Sequence, residues 1–226
     1  NSYHPIEETK KISEKKFSRK ELNLPEEKFV FCCFNSHQKI TPDVYNIWIN
    51  LLKKNSNSIL WLREYTSYST KNLKLEASKR GLDEKRIIFA KRTPSLEEHL
   101  ARIKNADLFL DTFPYTAHST CSDVLRVGLP VITCAGESFT SRVSASFLNS
   151  MKLPELITTS FEEYEKLANK IASDKNYLNN LKNKILENKL KSPLYDIKLF
   201  TKNLERAYIL MYEKYTKGEK VNNIEV

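Results

Sequence analysis

Along most of the chain, short apolar runs alternate with stretches whose apolar positions recur every three or four residues. The runs lie at 28–34 (KFVFCCF), 58–62 (SILWL), 86–89 (RIIF), 107–110 (DLFL) and 130–134 (PVITC). Runs this short and this apolar predict strands buried on both faces, as in a parallel sheet. A sixth, shorter strand is expected at 155–157. Between the strands the helical period sets in. Thr41, Pro42 and Asp43 supply a capping hydroxyl, a proline at the first helical position and an acid in the first turn. Val44, Ile47, Trp48 and Leu51 then follow on one face. Further helices are expected at 71–80, ended by Gly81, and from the Ser95-Leu96-Glu97-Glu98 capping box to about Asn105. Two more are expected at 119–127, stopped by Gly128 and Pro130, and at 141–150.

Strands alternating with helices predict an α/β fold, a Rossmann-like parallel sheet with right-handed crossovers. After Ser160 the pattern changes to three helices, at 160–172, 174–188 and about 196–215. The last aligns Leu199, Phe200, Leu204, Ala207, Tyr208, Met211 and Tyr215 on one side, a face to cover an end of the sheet domain or to meet a partner. Residues 1–20 are polar, carry no initiator Met and read as the interior of a longer protein. The expected organisation is a connecting segment at 1–20, a Rossmann-like lobe at 21–160, C-terminal helices packing on it at 161–217 and a tail at 218–226.

Composition narrows the function classes. Of 226 residues 40% are hydrophobic and 11% aromatic, enough for a packed core and against a disordered chain. No apolar run approaches the ~20 residues that span a bilayer, so no membrane insertion is expected. Gly numbers only 4, and neither GxGxxG nor a Walker A motif is present. The net charge of +9 is spread over helical patterns, most densely at 166–191 and 214–220. It forms no single basic patch, so no nucleic-acid partner is expected. Cys32, Cys33, Cys121 and Cys134 include one adjacent pair and no CxxC, which is no disulfide framework. With no signal peptide at the start, a reducing, cytoplasmic setting is expected.

Ligands on doubly wound sheets bind beyond the carboxyl ends of the strands, so the loops that follow the strands carry the candidate chemistry. The first strand leads into Ser36-His37-Gln38-Lys39. Lys39, just before the Thr41 cap, fits a phosphate-binding cation or a solvated surface lysine; His37 reads as a surface residue sooner than as a catalyst. The third strand leads past Thr93 to His99 and Arg102, three apart on one helix face. They fit the flanks of a base or ribose, or a structural pair. The fourth strand leads into DTFPYTAHSTCSD, residues 111–123, a polar loop that runs straight into a helix start. There His118, Ser119 and Thr120 set side-chain donors beside backbone N–H groups at the positive end of the helix dipole. That is a pyrophosphate site without glycines. Asp123, one turn in, is placed to accept from ribose hydroxyls. The same run also fits an ordinary capped helix. After the fifth strand, Gly136 is expected to supply a tight turn and Ser138 or Thr140 a cap. No DxD and no His/Cys/Asp metal spacing is present. Lys, Arg and the helix start are therefore expected to neutralise any phosphate, with no metal and no cofactor.

Three segments stand in order between 29 and 146, within a stretch of similarity that runs over about 17–215: FVFCCFNSHQKITPDVYNIW, RIIFAKRTPSLEEHLAR and DLFLDTFPYTAHSTCSDVLRVGLPVITCAGESFTSRVSAS. Together they resemble the C-terminal catalytic lobe of the O-linked N-acetylglucosamine transferase and SPINDLY group, glycosyltransferase family 41, in its bacterial form. The resemblance implies a GT-B enzyme of two Rossmann-like lobes, the donor nucleotide held mainly by the C-terminal one. It implies inverting, metal-independent transfer of N-acetylglucosamine from a UDP-sugar donor to Ser or Thr of a protein acceptor. By the same resemblance Lys39 is the catalytic cation on the donor phosphates. His118, Ser119 and Thr120 meet the pyrophosphate, with Ser replacing one family Thr. Asp123 binds the ribose, His99 and Arg102 lie beside the uridine, and the backbone around Thr93 meets the uracil. Ser36 stands where some members have a phosphate-contacting Gln. An N-terminal lobe with the general base, and tetratricopeptide (TPR) repeats that select proteins, are implied outside these residues. The chain alone is therefore expected to bind UDP weakly and not to turn over. Other branches of the group use GDP-fucose or add glucose. A nucleotide- or protein-binding module without catalysis is the alternative class, against which the retained Lys39, His118 and Asp123 speak.

Overall fold

The computed structural model describes Ile6 and residues 10–226. Six strands form one wholly parallel sheet: β1 (Phe29–Cys33), β2 (Ser58–Arg63), β3 (Ile87–Ala90), β4 (Leu108–Leu110), β5 (Val131–Cys134) and β6 (Ile157–Thr158). Their order is β3-β2-β1-β4-β5-β6. The chain winds outward from β1 in one direction, returns, and winds outward from β4 in the other. The strand order reverses between β1 and β4, and in sheets of this kind the ligand crevice lies outside the carboxyl ends of the strands at that point. Five of the six strands coincide with the apolar runs. The sixth is displaced from 155–157 because Pro154 opens a 3-10 turn over Pro154–Leu156.

Local chemistry sets the helix starts. Thr41 caps α1 (Pro42–Lys54) by accepting from the Val44 N–H, and Val44, Ile47, Trp48 and Leu51 are buried. Helix α2 (Ser67–Lys79) begins a turn earlier than its apolar positions suggest, because Thr66 and Ser69 form a reciprocal capping box. Ser95 caps α3 (Leu96–Ile103). Helix α4 (Ser119–Arg126) stops before Gly128, which takes φ +85° at little steric cost. The helix expected at 141–150 divides into a 3-10 turn, Phe139–Ser141, and α5 (Val143–Ser150); Ser138, not Thr140, caps the turn.

The core is aromatic as well as aliphatic: Trp48, Trp61, Phe31, Phe34, Phe109 and Phe147 are all fully buried. Helix α6 (Phe161–Ser173) docks Tyr164, Ala168 and Ile171 on it, and α7 (Lys175–Lys189) adds Leu178, Leu181 and Ile185. The Tyr164 hydroxyl donates to the Asp111 carbonyl at 3.0 Å, which ties α6 to the end of β4. Helix α8 (Ile197–Thr216) departs from the expectation that the C-terminal helices pack on the lobe. None of its 20 residues is buried. Leu199, Leu204, Tyr208, Met211 and Tyr215 of its apolar face are all exposed. The residues just before it are anchored, with buried Tyr195 donating to the Ser122 carbonyl at 2.9 Å. All four cysteines are buried and free. Among the described residues no helix is long and apolar enough to cross a membrane.

Candidate functional site

The crevice between β1 and β4 is organised by a carboxylate that the sequence reading left without a role. Asp111 directly follows β4 and is 2% exposed. Its Oδ1 accepts from the Thr112 N–H at 2.8 Å, the Ala117 N–H at 2.7 Å and Asn35 Nδ2 at 3.1 Å. Its Oδ2 accepts from Thr133 Oγ1 at 2.8 Å. Burial pushes the Asp111 pKa up, and hydrogen bonding from the Ser144 and Thr133 side chains and from the Ala117 and Thr112 N–H groups pulls it back. The effect is to fold residues 111–117 back over the strand ends and deliver the chain to α4. Thr116 completes the loop: its N–H and Oγ1 both donate to the Thr140 carbonyl, at 3.1 and 2.7 Å.

Lys39 ends a 3-10 turn, His37–Lys39, whose first bond runs from the Lys39 N–H to the Ser36 carbonyl at 2.9 Å. Ser36 itself makes no side-chain capping bond. The Lys39 ammonium reaches across the switch point and donates to the Thr116 carbonyl at 2.9 Å. It also sits 3.7 Å above the Tyr115 ring centre, in cation–π range. The Tyr115 ring in turn lies 5.0 Å from that of His118, the residue that opens α4. Partial burial pushes the Lys39 pKa down, and Asp111 pulls it back up. Of the two roles open to Lys39, that of a freely solvated surface lysine is excluded. His37 is structural: one ring nitrogen lies 2.6 Å from the Arg63 carbonyl and the other 2.9 Å from Ser69 Oγ.

His118, Ser119 and Thr120 stand at the start of α4, where the first backbone N–H groups have no carbonyl one turn back in the helix. The His118 side chain makes no capping bond of its own. Asp123, one turn further, is largely buried and pairs with Lys10 at 2.5 Å. Burial raises the Asp123 pKa, opposed by Lys10 and Arg126.

On the other side of the crevice, Thr93, His99 and Arg102 line a cleft of about 230 Å³ together with Arg63 and Arg92. Arg102 Nε donates to His99 Nδ1 at 3.1 Å, and Arg102 Nη1 bonds the Lys91 carbonyl. Thr93 Oγ1 donates to the Ser95 carbonyl at 2.9 Å. Burial first, then the Arg102 charge, lowers the His99 pKa to about 4. The ring is neutral at pH 7. Because Nδ1 accepts from Arg102, Nε2 carries the proton and serves as a donor. Burial also lowers the Arg102 pKa to about 10, which leaves it cationic.

Two clusters therefore flank the switch point. One gathers Lys39, Tyr115 and the α4 start; the other gathers Thr93, His99 and Arg102. Asp123 lies on α4 with Lys10. Asp111, Tyr115 and Lys10 were missed by the sequence reading. Asp111 had a signal, a carboxylate directly after an apolar strand; Lys10 had none, being 113 residues from its partner. Gly136 also serves differently from the tight turn expected. Its φ is not positive; what it provides is room, since a Cβ there would come 2.9 Å from the Phe113 ring and 2.8 Å from Ser141 Oγ. Among the described residues, no three His, Cys, Asp or Glu side chains are grouped to hold a metal ion.

Comparison with known proteins bears on what such a crevice serves. The chain is 33% identical over 207 residues to the UDP-N-acetylglucosamine–peptide N-acetylglucosaminyltransferase of Caenorhabditis elegans, covering 92% of this chain and 18% of the relative. It is 35% identical over 209 residues to the probable enzyme SEC of Arabidopsis thaliana, covering 92% and 21%. It thus spans about a fifth of the length of these relatives. Its fold matches a solved structure of a mutant Thermobaculum terrenum O-GlcNAc transferase with a TM-score of 0.78 and 28% identity, over 83% of this chain and 36% of that one. The family model for glycosyl transferase family 41 matches residues 7–204. The chain belongs to glycosyltransferase family 41.

Proposed function

We propose that this chain is the donor-binding half of an inverting, metal-independent glycosyltransferase. It moves N-acetylglucosamine from UDP-N-acetylglucosamine to Ser or Thr hydroxyls of proteins. The observation that carries this reading is the position of Lys39. A partly desolvated ammonium is held by the Thr116 carbonyl and the Tyr115 ring on the path to the α4 start, in a lobe of family 41.

In the reaction the acceptor hydroxyl forms a new bond to the anomeric carbon, and the bond from that carbon to the β-phosphate oxygen breaks. The acceptor proton passes to a base outside this chain, in an N-terminal lobe within the part of the relatives that it does not cover. Negative charge grows on the departing UDP. Lys39 and the N–H groups and side chains of His118, Ser119 and Thr120 meet that charge, the task a divalent cation performs in metal-dependent transferases. Asp123 accepts from the ribose hydroxyls. Neutral His99, Arg102 and the backbone around Thr93 flank the uracil, with the His99 Nε2–H as a directed donor. Ser36 adds a hydroxyl near the phosphates. TPR repeats elsewhere in the intact protein select the protein acceptors.

The test is Lys39→Ala in the intact protein. Charge stabilisation that grows in the transition state predicts a loss of roughly 10²–10³-fold in kcat, with a much smaller change in UDP affinity. Equal losses in both would mean that Lys39 binds the donor without stabilising its departure, and the reading of its role would fail.

A further inference from the structure

The segment that leads into the lobe crosses the candidate donor site. The Ser13 N–H donates to the Glu97 carbonyl at 3.1 Å, and Lys15 pairs with Glu98 at 3.3 Å. Both contacts lay the segment along the start of α3, the helix of His99 and Arg102. Lys10 then bridges to α4, where its Nζ lies 2.5 Å from Asp123 Oδ1, with the two side chains 19% and 12% exposed. One lysine from outside the lobe thus engages the carboxylate read above as the ribose acceptor.

We propose that Lys10 is a positioning residue of the donor site, whose ammonium keeps the Asp123 carboxylate ionised and aimed at the ribose diol. The inference rests on the proposed role of Asp123. Two physical demands support it. Burial pushes this carboxylate towards its protonated form, and the hydrogen-bonded Lys10 ammonium opposes that. Once protonated, the group would give up acceptor capacity that two ribose hydroxyls need. Second, a bare carboxylate near a diphosphate repels it. A carboxylate paired with an ammonium presents no net charge yet still has lone pairs to accept with. Only one of the three ammonium N–H donors is needed for the pair, so binding the diol does not require the pair to break. Arg126 is the other cation acting on Asp123. It lies one turn further along the same helix, whereas Lys10 joins α4 to the segment lying on α3. The Lys10 charge also falls on His99 and helps to keep it neutral, so one ammonium conditions both sides of the nucleoside site.

The experiment compares UDP with 2′,3′-dideoxy-UDP, which lacks the diol, by calorimetry on the intact protein. The variants are Lys10→Met, Lys10→Arg and Asp123→Asn. Lys10→Met should weaken UDP on the order of tenfold and leave dideoxy-UDP nearly unchanged, while Lys10→Arg keeps most of the preference for UDP. A purely structural role would not discriminate between the two nucleotides. UDP binding as tight as or tighter than normal in Lys10→Met would overturn the proposal, since the ammonium would then be a bystander or a competitor for Asp123. Equal loss of both nucleotides would overturn it too, by moving the effect to the phosphates or the fold. If the unmodified protein itself fails to prefer UDP, or Asp123→Asn leaves that preference intact, the ribose reading of Asp123 falls, and the Lys10 proposal with it.

Discussion

Helices α4 and α8 invert the usual relation between polarity and burial. Helix α4 has only eight residues, SDV and STC among them, yet it buries Ser122, Asp123 and Arg126 beside Cys121, Val124 and Leu125. Helix α8 has 20 residues and an apolar stripe, yet buries none. Exposed apolar residues are common on protein surfaces, whereas buried polar and charged ones require compensation. The compensation around α4 is extensive: the Lys10–Asp123 pair, the Tyr195–Ser122 bond and the Asp111 loop that leads into the helix. Chemistry is concentrated where the chain has invested hydrogen bonds in polar groups, at the sheet's switch point. The long apolar helix contributes little to the fold of this chain.

That contrast predicts a graded series of effects. The largest belongs to Asp111. Asp111→Ala leaves the Thr112 and Ala117 N–H groups and Thr133 Oγ1 buried without the acceptor they have here, and should cost about 3 kcal/mol or more. Urea unfolding measures it, and a cost under 1 kcal/mol would show that the loop does not depend on the carboxylate.

A smaller effect belongs to His99. Its folded pKa of about 4 lies below the unfolded value near 6.5. Between these values the unfolded chain binds the extra proton. Stability from this group is therefore complete above pH 6.5 and is lost as pH falls towards 4. Arg102, Arg63 and Lys10 face the ring and oppose its protonation. Allowing for its partial exposure, the difference between unmodified protein and His99→Gln should narrow by about 1–2 kcal/mol over that window. Parallel stability curves would contradict the buried, neutral assignment.

The smallest effect belongs to α8. Leu204→Lys and Met211→Lys each replace an exposed side chain and should change the stability of this chain by less than about 0.5 kcal/mol. A loss of 2 kcal/mol or more, read by the same urea titration, would mean that the helix packs on the lobe after all.

Much of the fold was legible in the sequence, for a local reason. Runs such as FVFCC and SILWL are short and apolar, and Thr41-Pro42-Asp43 is a helix start that needs no tertiary information. The errors fell where polar residues decide. Ser67-Tyr68-Ser69-Thr70 has no apolar period, so the α2 start rested on a Thr66–Ser69 capping box visible only once the turn is formed. The stripe on α8 has a regular period, yet no residue of it is buried among the described residues, because periodicity shows that a face exists without showing what covers it. For the candidate site, strand-end loops located Lys39, His99, Arg102 and the α4 start. Sequence spacing does not reveal the partner of Asp123, because no local rule joins Lys10 to a helix 113 residues away. Nor does it reveal that Tyr115 lies beneath Lys39, since that contact requires the Asp111-anchored loop to be folded.

In the proposed function, the crevice between β1 and β4 holds the nucleotide of a UDP-sugar, with Asp123 on its ribose. Thermal unfolding with UDP, with GDP and without nucleotide, repeated on Asp123→Ala, tests it most directly. At 100 times its dissociation constant UDP should stabilise the protein by about 2.7 kcal/mol, GDP should do so far less, and the shift should vanish in the variant. No shift with UDP, a shift that favours GDP, or one that survives the loss of the Asp123 carboxylate would contradict the account.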